Sequence, residues 1–125
     1  MERVLITGST GSAGSYLCEY LKEKHPEVKV FGTSRTKRRD REISGVTYYP
    51  VHLGDFPEGR ERDILGVIRD CRPDLVFHLA ADADVRRSFD QPLKNLDNNI
   101  RGTWHLYEAI RQSGKKSRVM LASTP

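Results

Sequence analysis

Three glycines at three-residue intervals, Gly8, Gly11 and Gly14, follow directly on the apolar run Val4-Leu5-Ile6 in the stretch Thr7-Gly8-Ser9-Thr10-Gly11-Ser12-Ala13-Gly14. If a strand ends near Thr7 and a helix begins near Ser12, the glycines serve three needs, which are a tight turn, close backbone approach to a bound group, and close packing of helix on strand. The N–H groups at a helix N-terminus, backed by the helix dipole, suit a phosphate. The stretch therefore points to the pyrophosphate of a dinucleotide, with an ordinary Gly/Ser turn as the alternative that the rest of the chain must weigh.

Further polar residues stand where other apolar runs end, the edge at which ligands bind in open α/β sheets. The second run ends at Thr33-Ser34-Arg35, about 20 residues past the last glycine, where an acid would bond the ribose hydroxyl of NAD. No acid stands there. Ser34 and Arg35, with Lys37, Arg38 and Arg39 close behind, suit instead a 2′-phosphate, a dianion matched by planar charge-assisted donors, so NADP is expected ahead of NAD. The alternative for this cluster is a solvated basic loop. After the third run, Asp55 with Phe56 is placed to meet the adenine, though Asp55 also reads as a turn residue. After the fourth, the small residues Ala80 and Ala81 next to Leu79 would let a cofactor lie close to the backbone. His78, inside that run, reads as a buried, hydrogen-bonded histidine rather than a base. The fifth run delivers two hydroxyls, Ser123 and Thr124.

The elements that would position these residues follow from periodicity. Strands are predicted at Val4 to Thr7, Val28 to Ser34, Val46 to Val51, Leu75 to Ala80 and Val119 to Ala122. One helix is predicted after the glycines on a stripe of Ala13, Leu17, Leu21 and Lys24, closed by Pro26. A second uses Ile64, Leu65, Val67, Ile68 and Cys71, ended by Pro73; a third runs from about Pro92 to Gln112 and stops at Ser113-Gly114. Lys37 to Gly45 has no apolar stripe and reads as a loop. Short β-rich runs alternating with helices indicate an α/β, Rossmann-type doubly wound parallel sheet in the order 3-2-1-4-5.

At 125 residues the chain reads as one dinucleotide-binding domain, able to bury a core without staples. Its two cysteines, Cys18 and Cys71, fit no redox or zinc spacing. With no signal peptide and no long apolar run, the expectation is a cytoplasmic protein without a membrane partner or metal. The net charge of +4 is the excess carried by Arg35, Lys37, Arg38, Arg39 and Arg41 against Asp40. No basic face with interleaved aromatics accompanies it, which argues against nucleic acid.

The glycine stretch, then His78-Leu79-Ala80-Ala81, Val85 with Ser88, Pro92, Asn99, Gly102-Thr103, Glu108-Ala109 and finally Ser123-Thr124 form an ordered series along the whole chain. Together they resemble the extended short-chain dehydrogenase/reductases, and within them the nucleotide-sugar epimerase/dehydratase group. Gly32-Thr33-Ser34-Arg35 and Ala122-Ser123-Thr124 look most like GDP-mannose 4,6-dehydratases and related GDP-sugar reductases. The resemblance implies an NADP-dependent enzyme on a GDP-sugar, with Thr124 orienting a sugar hydroxyl beside a Tyr-x-x-x-Lys pair. It implies that Asn99 supports the site, against a solvent-facing helix residue as the alternative, and that copies pair as homodimers or higher oligomers. Asp82-Ala83-Asp84 departs from the pattern of many relatives and leaves the substrate contacts open.

The only Tyr-x-x-x-Lys in the chain, Tyr20 to Lys24, is predicted near the far end of the first helix and reads as a chance match. The catalytic pair is thus expected to lie outside these residues. The chain alone is expected to bind a dinucleotide weakly or not at all, and not to turn over. The rival reading is a non-catalytic NAD(P)-binding fragment or a module dependent on a partner.

Overall fold

The computed structural model describes residues 2–34, 42–51, 62–79 and 92–121. The elements in chain order are β1 (Arg3–Thr7), α1 (Ser12–Lys24), β2 (Lys29–Ser34), β3 (Thr47–Pro50), α2 (Arg62–Cys71), β4 (Leu75–His78), α3 (Pro92–Ser113) and β5 (Arg118–Leu121). All five strands pair in parallel in the order β3-β2-β1-β4-β5, as the alternation predicts. The chain starts in the middle of the sheet, winds outward to β3, then returns to the other side of β1. That reversal opens a crevice between the C-terminal ends of β1 and β4, where Thr7 stands beside His78.

Each face of the sheet has its own core because successive strand side chains point to opposite sides. Val4 and Ile6 of β1 join Val28, Val30 and Cys18 on the α1 face, with Leu17 and Leu21 packed alongside. Leu5 and Val76 meet Ile64, Val67, Ile68, Leu106 and Ala109 from α2 and α3 on the other. The buried positions of α1 are Gly14 and Cys18. Ala13, placed on the apolar stripe by helical spacing, is exposed. With glycine at 14 the helix settles backbone to backbone against the turn at Gly8 and Ser9, so residue 14 itself lies on its contact line.

The amino-terminal edge of the sheet is closed by charge rather than opened to a ligand. Arg3 donates through Nε to the carbonyl of Cys71, and its guanidinium lies 5.0 Å over the Phe31 ring. Its backbone N–H donates to Asp74 Oδ2 at 2.8 Å, while Lys115 Nζ holds Asp74 Oδ1 at 2.9 Å.

Consecutive tyrosines on β3 pin this edge strand from both sides. Tyr48 reaches Cys18 on the α1 face, and Tyr49 reaches Cys71 on the other. Both thiols are fully buried and unpaired. Burial pushes the Cys18 thiol up to about 11 and Cys71 up to about 12, against the lowering effect of their tyrosine hydrogen bonds. Neither is a thiolate at neutral pH, and neither is reachable. A disulfide reagent is therefore expected to modify neither Cys18 nor Cys71 in the native protein and both after denaturation; prompt native reaction at either would contradict this packing.

Candidate functional site

The turn between β1 and α1 is built by its glycines, and the three do different work. Gly8 has φ +68, the left-handed region that glycine enters without strain. A Cβ on Gly14 would lie 2.1 Å from the Gly8 carbonyl oxygen and 2.8 Å from Ser9 Cα, so helix and loop touch backbone to backbone. Gly11 is different. It is exposed, with φ −72 and ψ 175, a conformation open to any residue, and an added Cβ would meet nothing nearer than 3.4 Å. Neither its backbone angles nor its internal contacts require glycine there.

Gly11 is the N-cap of α1 and brings no side chain to it. The first helical bond runs from the Ser15 N–H to the Gly11 carbonyl at 2.8 Å, so the amides of Ser12, Ala13 and Gly14 precede the helical ladder. No acid stands in the first turn to compete for them, and Lys22 and Lys24 stand in the last. Exposed Ser12 and Ala13 thus form the rim of a cradle whose fields and donors favour an anion. These donors are of the kind a pyrophosphate would take, and exposed Gly11 brings no side chain to crowd them. Thr10 is buried on the inner side of the same turn.

The crevice next to the cradle is held by a hydrogen-bonded chain through His78. Leu79 N–H donates to Thr7 Oγ1 at 2.9 Å, and Thr7 Oγ1 lies 2.7 Å from His78 Nδ1. On its other side, His78 Nε2 lies 3.0 Å from Thr103 Oγ1 of α3. Either neutral tautomer of the ring is hydrogen-bonded at both nitrogens, to Thr7 at Nδ1 and to Thr103 at Nε2. His78 is thus a buried, satisfied histidine, as its apolar run predicts, and it ties β1, β4 and α3 together. Thr7 and Thr103 are not legible from sequence as its partners, because neither lies near residue 78 in the chain.

Burial alone lowers the proton affinity of His78 below its ordinary value of 6.5. The unfolded chain then takes up a proton that the folded chain refuses. Stability from this group is full above about pH 6.5 and is lost as pH falls below it, by up to about 1.4 kcal/mol per pH unit. The denaturation midpoint of the native protein is expected to fall more steeply below that pH than the midpoint of His78→Gln. Parallel curves would show that His78 is not held neutral.

Several predicted site residues are described and gather at this edge: Gly8 to Gly14, Ser34 at the end of β2, and Leu79 at the end of β4. Ser9 and Ser34 are buried, Ser9 completely. Asn99 belongs to α3 by its backbone. Arg35, Arg38, Asp55, Phe56, Ala80, Ala81 and Thr124 lie outside the described residues. Tyr20 and Lys24 fall in the last turns of α1, as predicted, away from the cradle at its first turn. Among the described residues no three His, Cys, Asp or Glu gather as metal ligands, and no helix is long and apolar enough to cross a membrane.

A family described as GDP-mannose 4,6 dehydratase matches residues 5–125. The chain is 34% identical over 134 aligned positions to a GDP-mannose 4,6-dehydratase of Yersinia enterocolitica, covering 99% of the chain and 36% of that relative. It is 33% identical to a CDP-glucose 4,6-dehydratase of Salmonella typhimurium, covering 95% and 33% respectively. Among solved structures, the UDP-glucose 4-epimerase of Thermus thermophilus in complex with NAD superposes with a TM-score of 0.80 at 34% identity, covering 98% of this chain and 37% of that one. The chain therefore spans about a third of the length of the relatives it matches.

Proposed function

We propose, because the chain belongs to the GDP-mannose 4,6-dehydratase family, that it is the NADP-binding part of a nucleotide-sugar dehydratase acting on a GDP-sugar such as GDP-mannose. The observation that carries this is the glycine cradle, with Gly11 bare toward the outside at the open N-terminus of α1. When bound, the nicotinamide cofactor supplies a hydride acceptor that later returns the hydride. The chain's own residues bind and orient: the amides of Ser12, Ala13 and Gly14 hold the pyrophosphate, and Leu79 lines the crevice beside it. Thr124, just past the end of β5 in sequence, would orient the sugar hydroxyl.

The choice of NADP rests on the end of β2. Ser34 closes that strand and Arg35, Lys37, Arg38 and Arg39 follow without an acid at the strand end, a set of donors suited to a 2′-phosphate. Fluorescence titration of the native gene product is expected to show NADPH binding at least about tenfold tighter than NADH, a difference of about 1.4 kcal/mol, with Arg35→Ala removing most of it. Equal affinities would overturn the preference. With GDP-mannose as substrate, the product is expected to have lost one water. Conversion of UDP-glucose alone, with no loss of water, would instead favour an epimerase.

The same reading includes self-association. Trp104 and Tyr107 stand one turn apart on α3 and are 60% and 42% exposed, large apolar surface of the kind that a second copy covers. Light scattering on the native gene product is expected to give a homodimer or higher oligomer, and a monomer at micromolar concentration would overturn that assignment.

A further inference from the structure

Ser9 stands inside the glycine turn, yet its side chain faces away from any ligand. It is fully buried, and both its backbone N–H and its hydroxyl donate to the carbonyl oxygen of Thr33, each at 3.0 Å. Two donors converge on this one carbonyl where a ladder carbonyl receives one, so the hydroxyl adds a second tie between the turn and β2. The hydroxyl also has a socket made for it. A Cβ on Gly32 would lie 2.5 Å from Ser9 Oγ and 2.6 Å from Ser9 Cβ, so the side chain of Ser9 occupies the space that any other residue at 32 would claim. Tyr48 walls the same space, 3.1 Å from that Cβ position. A glycine in the interior of a strand weakens it and often marks a close approach by another segment. Here the approaching segment is the turn itself.

Thr33 is followed immediately by Ser34, the last residue of β2, and then by Arg35. Ser9 is followed by the cradle. A single attachment point therefore joins the part of the site suited to the pyrophosphate to the strand end suited to the adenosine ribose. We infer that Ser9 is a positioning residue: with Gly32 as its socket, it fixes the glycine turn against the end of β2, so that a dinucleotide meets its pyrophosphate and ribose contacts in one preset register. The benefit falls only on a ligand that engages both ends, because a fragment that engages one end needs no register. This rests on the reading of the turn as a pyrophosphate cradle, and its test has an arm that does not need a cofactor.

Ser9→Ala removes the hydroxyl but keeps the N–H bond to Thr33, so the fold is retained. Amide hydrogen exchange on the native gene product without nucleotide is the first measurement. The amides of Ser9 and Gly11, bonded to Thr33 and Gly8 respectively, are expected to exchange several-fold faster in the variant, with Val30 and Val76 unchanged. The second compares NADPH with two fragments, inorganic pyrophosphate and adenosine 2′-monophosphate. NADPH affinity is expected to fall about fivefold, the size of one hydrogen bond, while each fragment changes less than about twofold. Unchanged exchange at Ser9 and Gly11, or faster exchange spread evenly over the sheet, overturns the inference. So does an equal loss for NADPH and both fragments. If the parent protein binds no dinucleotide but the exchange change stays confined to the turn, the attachment stands and the cofactor reading falls.

Discussion

Gly14→Ala is expected to lower the thermal midpoint by roughly 10 °C, a loss of about 3 kcal/mol for a domain of this size. The added Cβ would sit 2.1 Å from the Gly8 carbonyl oxygen, 2.8 Å from Ser9 Cα and 2.9 Å from the Gly8 carbonyl carbon. All three are backbone atoms, so no side chain can swing aside to relieve the contact. Either α1 lifts from β1 and Cys18 loses its burial against Val4 and Ile6, or the turn is pushed off the sheet. Both routes disturb packing that is close to crystal density, where even a small added volume is felt.

The same chemical change at Gly66 supplies the control. Gly66 lies exposed in α2, and a Cβ there would meet no heavy atom within 4 Å. Gly66→Ala is expected to stabilise by about 0.5 to 1 kcal/mol, because alanine restricts the unfolded chain and favours the helix. Opposite shifts in midpoint from two identical substitutions would locate the effect in the contact at Gly8. A neutral Gly14→Ala would show that the helix and the turn at Gly8 and Ser9 do not touch backbone to backbone.

These contrasts mark what the amino-acid sequence discloses and what it withholds. The five strands and the order of the sheet follow from apolar runs alternating with helical stripes, because burial on both faces leaves a simple pattern along the chain. Strand limits differ by a residue or two, as with β4, which ends at His78 instead of Ala80. Spacing shows that Gly8, Gly11 and Gly14 belong to one turn. It cannot show which of them the backbone angle requires, which the packing requires and which neither requires, since that depends on what lies across from each.

Gly32 and Ser9 illustrate the limit more sharply. They are 23 positions apart, and nothing in either neighbourhood marks them as lock and socket. The partnership exists only once β1 and β2 are paired in register, with Ile6 beside Gly32 and Thr7 beside Thr33. The link from Thr7 through His78 to Thr103 has the same character. Sequence identifies a buried histidine from its apolar surroundings, but its two partners come from a strand and a helix far away in the chain. Ala13 errs in the other direction: helical spacing favours it, and the tight seat of Gly14 rotates it outward.

Gly11→Ala is expected to leave stability within about 1 kcal/mol while lowering dinucleotide affinity at least about tenfold. The φ and ψ of Gly11 suit alanine, and its new methyl would stand 3.4 Å from the Gly8 oxygen, an ordinary contact. As the N-cap of α1, alanine is poorer than glycine by less than about 1 kcal/mol, and its stiffer unfolded chain offsets part of that loss. The methyl would nonetheless occupy the outer side of the turn, where a pyrophosphate must come within hydrogen-bond reach of the Ser12, Ala13 and Gly14 amides. Calorimetric melting and NADPH titration on the same preparations separate the two effects. Glycine at 11 then answers to the ligand, as glycine at 14 answers to the fold. Unchanged affinity with unchanged stability would mean that no anion approaches this turn, and the assignment of the cradle would fail with it.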